Sequence, residues 1–112
     1  MVVAHGSVRR GDVYLIELDP AQGSEIKKTR PCVVVSPDEL NAHLRTFIVA
    51  PLTTGSHAYP FRINCRFQGK QGYIVLDQIR TVDLQRLRQR LGRMPAEAMR
   101  HSLSVLQEMF TP

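Results

Sequence analysis

The residues best suited to chemistry lie in one basic loop in the first third of the chain. The segment from Asp19 to Pro37 reads DPAQGSEIKKTRPCVVVSP and carries Lys27, Lys28 and Arg30. Its proline and glycine predict a loop, and Pro31 fixes the backbone directly after Arg30. Because a guanidinium can grip a phosphate group with two parallel hydrogen bonds, this arrangement favours a phosphate-binding site. The alternative is a solvated loop with one surface arginine, and the segment alone does not choose between them.

The elements that must position this loop are predicted to be short strands. A continuous apolar run such as Cys32–Val35 indicates a strand that is buried on both faces or closed into a barrel. Turn signals separate the apolar runs roughly every ten residues, which is typical of small all-β architectures. The expected fold is mostly β with α (α+β): a small, SH3-like, partly open β-barrel with short helices and a C-terminal helix. Strands are predicted at residues 13–18, 32–35, 46–52, 59–64 and 73–79, and residues 91–93 are either a short strand or a connector.

Two helices are predicted from start signals. Ser36 as the cap, Pro37 at the first position and acidic residues in the first turn predict a short helix that ends at His43 or Leu44. Pro95 starts a longer helix, and residues 83–87 form a helical turn. The face of the longer helix that is expected to dock on the barrel carries Met99, Leu103, Leu106 and Phe110.

Length and composition narrow the classes of function. The chain has 112 residues, which predicts one domain over 1–112, with residues 1–9 as a flexible tail. It has no apolar run near the roughly 18 residues that a membrane span needs, so no membrane partner is expected and a cytoplasmic location is the default. The net charge is +5, and all but three of the 15 basic residues are arginine, which favours a nucleic-acid partner.

The cysteines and histidines offer no metal site. Cys32 and Cys65 are far apart and lack metal-ligand spacing, and a disulfide between them is disfavoured in a reducing compartment. Of the four histidines, only His57 lies in a loop that can approach Arg30. No metal and no cofactor are therefore expected. A run of arginines on a predicted connector either extends a phosphate track or forms a solvated face: Arg86, Arg88, Arg90 and Arg93.

Four sequence patterns occur in order along the chain: GDVYLIELDP, GSE followed by TRPCVVVSP, APLTT followed by YPF, and GYIVLDQIRT. Together they resemble the MazF/PemK family of toxin endoribonucleases from type II toxin–antitoxin systems, over the stretch from Arg10 to Leu106. The resemblance implies a homodimer of SH3-like barrels that cuts single-stranded RNA without a metal ion. The products would carry a 2′,3′-cyclic phosphate and a 5′-hydroxyl, and a cognate MazE-like antitoxin would occupy the RNA groove.

The resemblance also implies roles for individual residues. Arg30 and Thr53 match the catalytic pair of the MazF-like branch, whereas the PemK-like branch has histidine and arginine where this chain has Ser24 and Val75. Other readings of the residues stay open: Thr53 as a strand-end cap, Asp77 as a partner of Arg80, and Tyr59 as a core aromatic. The supporting and RNA-binding positions are Glu25, Lys27, Lys28, Thr54, His57, Tyr59, Asp77 and Gln78.

Metal-free RNA cleavage needs a proton acceptor for the 2′-hydroxyl, charge stabilisation of the phosphorane and a proton for the leaving 5′-oxygen. Arg30 suits charge stabilisation, Thr53 can donate a hydrogen bond to the same centre, and Glu25 and Asp77 are both candidates for the base. Two other functions compete. A CcdB-like gyrase poison relies on a C-terminal Trp-Gly-Ile that this chain lacks. A non-catalytic RNA-binding barrel would use the same arginine and threonine.

Overall fold

The computed structural model describes residues 3–55 and 58–112, which form seven strands, two α-helices and two 3-10 turns. The 3-10 turns span Leu76–Gln78 and Leu84–Arg86. The strands and helices in chain order are β1 (Asp12–Glu17), β2 (Thr29–Val34), α1 (Asp38–His43), β3 (Thr46–Thr53), β4 (Arg62–Phe67), β5 (Lys70–Val75), β6 (Arg80–Asp83), β7 (Leu87–Arg93) and α2 (Ala96–Met109).

The strands form one antiparallel sheet in the order β4-β5-β3-β2-β1-β7, and β6 pairs separately with β3. Strand β3 serves both parts, because its residues 46–49 pair with β6 and its last two residues pair with β5. The turn Leu84–Arg86 then carries the chain from β6 into β7. The five strands β7-β1-β2-β3-β6 therefore curve into a partly open SH3-like barrel, from which the β4–β5 hairpin projects. The predicted α+β fold is confirmed.

Side chains of the central strands alternate between two cores. Cys32 and Val34 of β2 point into the barrel, whereas Val33 and Val35 pack on its other side against β4, β5 and α2. Because a strand's side chains point alternately to opposite faces, an uninterrupted apolar run is expected where both faces are buried. This double burial fixes β2, and with it the position of Arg30 near the start of the strand.

The N-terminal segment corrects one prediction. Residues 3–9 were expected to belong to a flexible tail, but Val8 is only 1% exposed and belongs to the barrel core. The His5 ring lies 3.0 Å from the carbonyl oxygen of Leu44. The segment is held because an apolar side chain fills the barrel and polar neighbours bond to the barrel's rim.

Ser36 has a different role from the predicted helix cap. Helix α1 begins at Asp38 after Pro37 and has no side-chain cap bond. The Ser36 hydroxyl instead donates to Oδ1 of Asn41 at 2.6 Å and accepts from the amide of Ile48 at 3.1 Å. The serine therefore ties α1 to β3 from inside the structure, where both polar side chains are buried.

The strand boundaries differ from the sequence pattern most clearly in the second half of the chain. The strand predicted over residues 59–64 begins only at Arg62, and the one predicted over residues 73–79 ends at Val75, where a 3-10 turn starts. Three arginines of the predicted connector, Arg88, Arg90 and Arg93, lie on strand β7, which pairs along β1, whereas Arg86 ends the preceding 3-10 turn. The exposed polar face of β7 hides the apolar alternation by which a half-buried strand is recognised.

Helix α2 begins where Pro95 predicted, but it docks through a slightly different face. Phe110 is 71% exposed and Leu103 is half-buried, outside the core cluster. Within the described residues, neither helix is long and apolar enough to cross a membrane. The apolar residues that α2 contributes to the outer core are Ala98, Met99, Val105, Leu106 and Met109.

Candidate active site

A cleft of about 710 Å³ lies between the basic loop and the β4–β5 hairpin, and Arg30 and Thr53 both line it. Strands β2 and β3 are antiparallel neighbours in which Cys32 lies opposite Pro51. Extending this register by two residues sets Arg30 opposite Thr53. The sheet thus brings together the start of one strand and the end of the next, and with them the two residues to which the resemblance assigns catalysis.

The backbone of Arg30 is fixed, while its side chain faces solvent. In the β1–β2 ladder Arg30 lies opposite Ile16, which is fully buried. The Arg30 Nε donates to the carbonyl oxygen of Lys27 at 3.2 Å. No carboxylate among residues 3–55 and 58–112 forms an ion pair with it, so the terminal N–H groups are available to an anion.

Thr53 is half-buried at the end of β3, beside the hairpin. Its hydroxyl makes no hydrogen bond within the described part of the chain, which argues against the strand-end cap. Gly72 of β5 allows the backbone of the hairpin to lie close to Thr53, because a Cβ atom at this position would lie 1.9 Å from the Thr53 carbonyl oxygen. Thr54 follows directly and lines the same cleft.

The basic loop closes on itself. Glu25 lines the cleft, but its Oε1 accepts from the amide of Gln22 at 2.7 Å and so closes a turn. Lys28, at φ +70°, donates its amide to Oδ1 of Asp19 at 3.1 Å. Lys27 lines the cleft and Lys28 does not, but neither ammonium group has an ion pair in the described residues, so the loop carries positive charge beside the cleft.

Gln78 anchors this loop from the 3-10 turn that follows β5. Its Oε1 accepts from the amide of Ile26 at 2.7 Å, and its Nε2 donates to the carbonyl oxygen of Ser24 at 3.4 Å. The anchored segment, residues 24–26, separates the Arg30 cleft from a second cleft of about 670 Å³, which Asp77 and Gln78 line. The structure thus occupies the Gln78 amide with loop backbone.

Asp77 and Tyr59 are joined through Arg62, which sequence reasoning did not single out. Asp77 binds Arg62 by two hydrogen bonds of 2.9 and 3.0 Å, and this pairing lowers the pKa of the Asp77 carboxyl. Arg80 instead donates to the carbonyl oxygen of Leu18, so the predicted Asp77–Arg80 pair does not form. Tyr59 is 57% exposed and is not a core aromatic. The Arg62 guanidinium lies 4.8 Å from the centre of its ring.

Other cleft residues come from the β4–β5 hairpin and carried no recognisable sequence signal, because only the folded hairpin brings them to Arg30. They are Cys65, Phe67, Gln68, Lys70, Gln71 and Gly72.

His57 lies outside the described residues. Cys32 and Cys65 are free thiols in different cores, and burial raises the pKa of Cys32 to about 12. The described residues contain no cluster of three metal-ligating side chains.

Comparisons with known proteins agree with this fold. MazF of Deinococcus radiodurans has the same fold, with a TM-score of 0.80 at 24% identity over 91% of this chain and 94% of that one. A mycobacterial endoribonuclease solved with its cognate antitoxin gives a TM-score of 0.78 at 23% identity, over 95% and 98%. The endoribonuclease MazF of Staphylococcus epidermidis is 39% identical over 90 residues, or 75% of each chain. The family model described as PemK-like, MazF-like toxin of type II toxin–antitoxin system matches residues 9–110, and this chain belongs to that family.

Proposed function

We propose that this toxin-family protein is an endoribonuclease that cuts single-stranded RNA without a metal ion, leaving a 2′,3′-cyclic phosphate and a 5′-hydroxyl. The observation that carries the proposal is the exposed guanidinium of Arg30, without an ion pair in the described residues, beside Thr53 in a cationic cleft. Family membership and the named activity of the Staphylococcus epidermidis relative support the same reaction.

The residues divide the chemistry as follows. The 2′-oxygen of one nucleotide loses its proton and attacks the adjacent phosphorus, the bond to the 5′-oxygen breaks, and the cyclic phosphate forms while the leaving 5′-oxygen takes a proton from water to become the 5′-hydroxyl. Arg30 binds the charged oxygens of the phosphorane with its fork of donors, and the Thr53 hydroxyl donates to the same centre. Asp77 is held by Arg62 in the neighbouring cleft, whereas Glu25 shares the cleft with Arg30. Glu25 is therefore the carboxylate that we assign to accept the 2′-hydroxyl proton.

The substrate and partners follow from the same cleft. In-line attack by a 2′-hydroxyl needs a backbone that can turn freely, which favours unpaired RNA. Lys27 and Lys28 give the rim a positive charge that suits the RNA backbone and equally the acidic segment of a cognate, MazE-like antitoxin. We place the single domain 1–112 in a cytoplasmic homodimer, because one small barrel offers little groove for several nucleotides.

The test is cleavage of a long unstructured RNA in excess chelator, with the cut ends mapped. The wild type should give discrete cuts that end in cyclic phosphate. Arg30→Ala should lower the rate by about 10²- to 10³-fold, the usual effect of removing a donor to a charged transition state. Arg88→Ala is the matched control, since Arg88 is an exposed arginine already paired with Glu17, and it should cut normally.

Three outcomes would contradict the proposal. Cleavage that appears only when magnesium is added would remove the metal-free mechanism. RNA that is retained but never cut would make the protein a binding barrel. Trapped gyrase–DNA complexes without RNA cleavage would place it with gyrase poisons.

A further inference from the structure

The segment that leads into β4 exposes two aromatic rings. Tyr59 is 57% exposed and Phe61 is 40% exposed, although both are large apolar groups on a small protein. The Tyr59 ring is nevertheless held in place, because the Arg62 guanidinium lies 4.8 Å from its centre. A cation over one face of an aromatic ring is attracted by the ring quadrupole, and more than half of the Tyr59 residue remains exposed to solvent.

The arginine is itself fixed from two directions. Its backbone lies in the β4–β5 ladder opposite Val75, two residues before Asp77. Its Nε and Nη2 donate to the two carboxylate oxygens of Asp77 at 2.9 and 3.0 Å. The pair neutralises both charges and locks the guanidinium plane. Arg62 is thus committed to the ring and the carboxylate, in contrast to Arg30, which keeps its terminal donors for a phosphate.

The carboxylate that holds Arg62 lies in the cleft beside the candidate active site. Asp77 lines the second cleft together with Ser24 and Glu25, and those two loop residues also line the Arg30 cleft. RNA that extends from the Arg30 cleft into the second cleft therefore meets Asp77, whose partner Arg62 lies against the Tyr59 ring. Unpaired bases bind proteins largely by stacking on such aromatic and guanidinium planes.

We propose that Tyr59 and Arg62 form a stacking platform for one unpaired base of the RNA, with Asp77 as the residue that positions Arg62. This inference rests on the proposed function for its substrate. The base stacks on the open face of the tyrosine ring, while Arg62 supports the opposite face. Stacking accepts any base but gains most from a large ring system, so the platform favours a purine at its position.

The test measures binding rather than cutting, with an unstructured oligonucleotide made of 2′-O-methyl nucleotides, which cannot attack their own backbone. A single 2-aminopurine is moved along the sequence, and its fluorescence is quenched where it stacks. The wild type should quench it at one preferred position. Tyr59→Ala should abolish this quenching and weaken affinity about tenfold, whereas Tyr59→Phe should retain both.

Two further variants separate positioning from stacking. Asp77→Asn should keep the ring but loosen Arg62, giving partial quenching and about threefold weaker binding. Phe110→Ala is the matched control, because it removes an exposed aromatic from the far end of α2 and should change neither signal. Thermal unfolding of each variant checks that the fold is retained.

The results also separate this inference from the proposed function. Quenching that persists in Tyr59→Ala would overturn the platform even if the wild type cuts RNA. A Tyr59-dependent signal in a wild type that never cuts RNA would overturn the proposed function and leave the platform standing. If Tyr59→Ala instead dissociates a dimer in sedimentation with unchanged binding per protomer, the ring is a protein contact and the platform is overturned.

Discussion

Two groups of basic residues in this protein make opposite use of the same chemistry. The arginines of the β7 region all have acceptors within the chain: Arg90 and Arg93 bind Asp12 at 3.2 and 3.0 Å, Arg88 binds Glu17, and Arg86 donates to backbone carbonyls. Arg30 in the cleft has only the Lys27 carbonyl, at 3.2 Å, as a partner of its guanidinium in the described residues.

The difference shows that the number of arginines does not locate a phosphate site. Arg90 and Arg93 stabilise the seam between β1 and β7. Both bind the carboxylate of Asp12, whose side chain is only 3% exposed. Two carboxylates, Asp12 and Glu17, neutralise half of the charge of the four arginines of the β7 region, and each arginine also spends donors within the fold, so they make a poorer phosphate track than their number suggests. The basic loop has fewer cations, but Lys27, Lys28 and Arg30 are exposed and have no ion pair in the described residues. Positive charge that is not paired within the fold attracts a polyanion.

The largest expected effect is on stability and comes from Asp12 in the seam between β1 and β7. Asp12→Ala removes a buried carboxylate that accepts from two arginines and from the amide of Arg9, and it should lower the free energy of unfolding by roughly 2 to 3 kcal/mol. RNA cleavage by the folded protein should be unchanged. Urea unfolding measures the first quantity. Glu17→Ala, which removes an exposed ion pair, is the control and should cost about 1 kcal/mol or less.

A substitution at Arg30 in the cleft should instead lower the cleavage rate and leave stability nearly unchanged. Arg30→Lys keeps the charge but loses the fork, and it should cost about 2 kcal/mol of transition-state stabilisation, roughly 30-fold in rate. The free energy of unfolding should stay within about 0.5 kcal/mol of the wild type, because the side chain is exposed. Arg88→Lys should change neither. A fully active Arg30→Lys would mean that point charge alone suffices, and the contrast between the groups would weaken.

The elements and site residues that could be predicted from the sequence are those with a local sequence signal. Cys32–Val35 shows its double burial as an uninterrupted apolar run, and Arg30 is marked by Pro31 and the family pattern. Strand β7 carries no such mark, because its pairing depends on contacts such as Arg90 with Asp12, 78 residues away. Val8 was misplaced for a similar reason, since only the closed barrel offers a hole for it.

The supporting residues of the site were harder to predict than its centre. Arg62 becomes meaningful only when β4 and β5 pair and bring it to Asp77. The Gln78 amide was assigned to RNA by resemblance, yet in the fold it reaches loop backbone 52 residues away. Motifs identify residue types, whereas long-range hydrogen bonds decide which atoms remain available to a ligand.

A smaller effect is expected from loosening the basic loop without touching a charge. Gln78→Leu removes both hydrogen bonds to residues 24–26 and should release the Lys27 carbonyl that holds Arg30. Cleavage should fall by about tenfold, or about 1.4 kcal/mol, through poorer placement of the guanidinium. Native-state trypsin should cut after Lys27 and Lys28 faster than in the wild type. Gln107→Leu, on the exposed face of α2, is the control; an unchanged digestion rate in Gln78→Leu would show that other contacts hold the loop.

The smallest effect concerns Arg62, which is paired like the seam arginines yet lies beside the clefts. Pairing lowers the pKa of Asp77 in the folded state, so its stabilisation is fully present above the unfolded value near pH 4 and is lost as pH falls through the folded pKa. Because the Asp77 side chain is 43% exposed, Asp77→Asn should cost at most roughly 0.5 kcal/mol at pH 7. Urea unfolding at pH 7 and again well below the folded pKa should show this difference shrinking towards zero. No difference between the two proteins at either pH would mean that Arg62 stabilises the protein through the Tyr59 ring and not through Asp77.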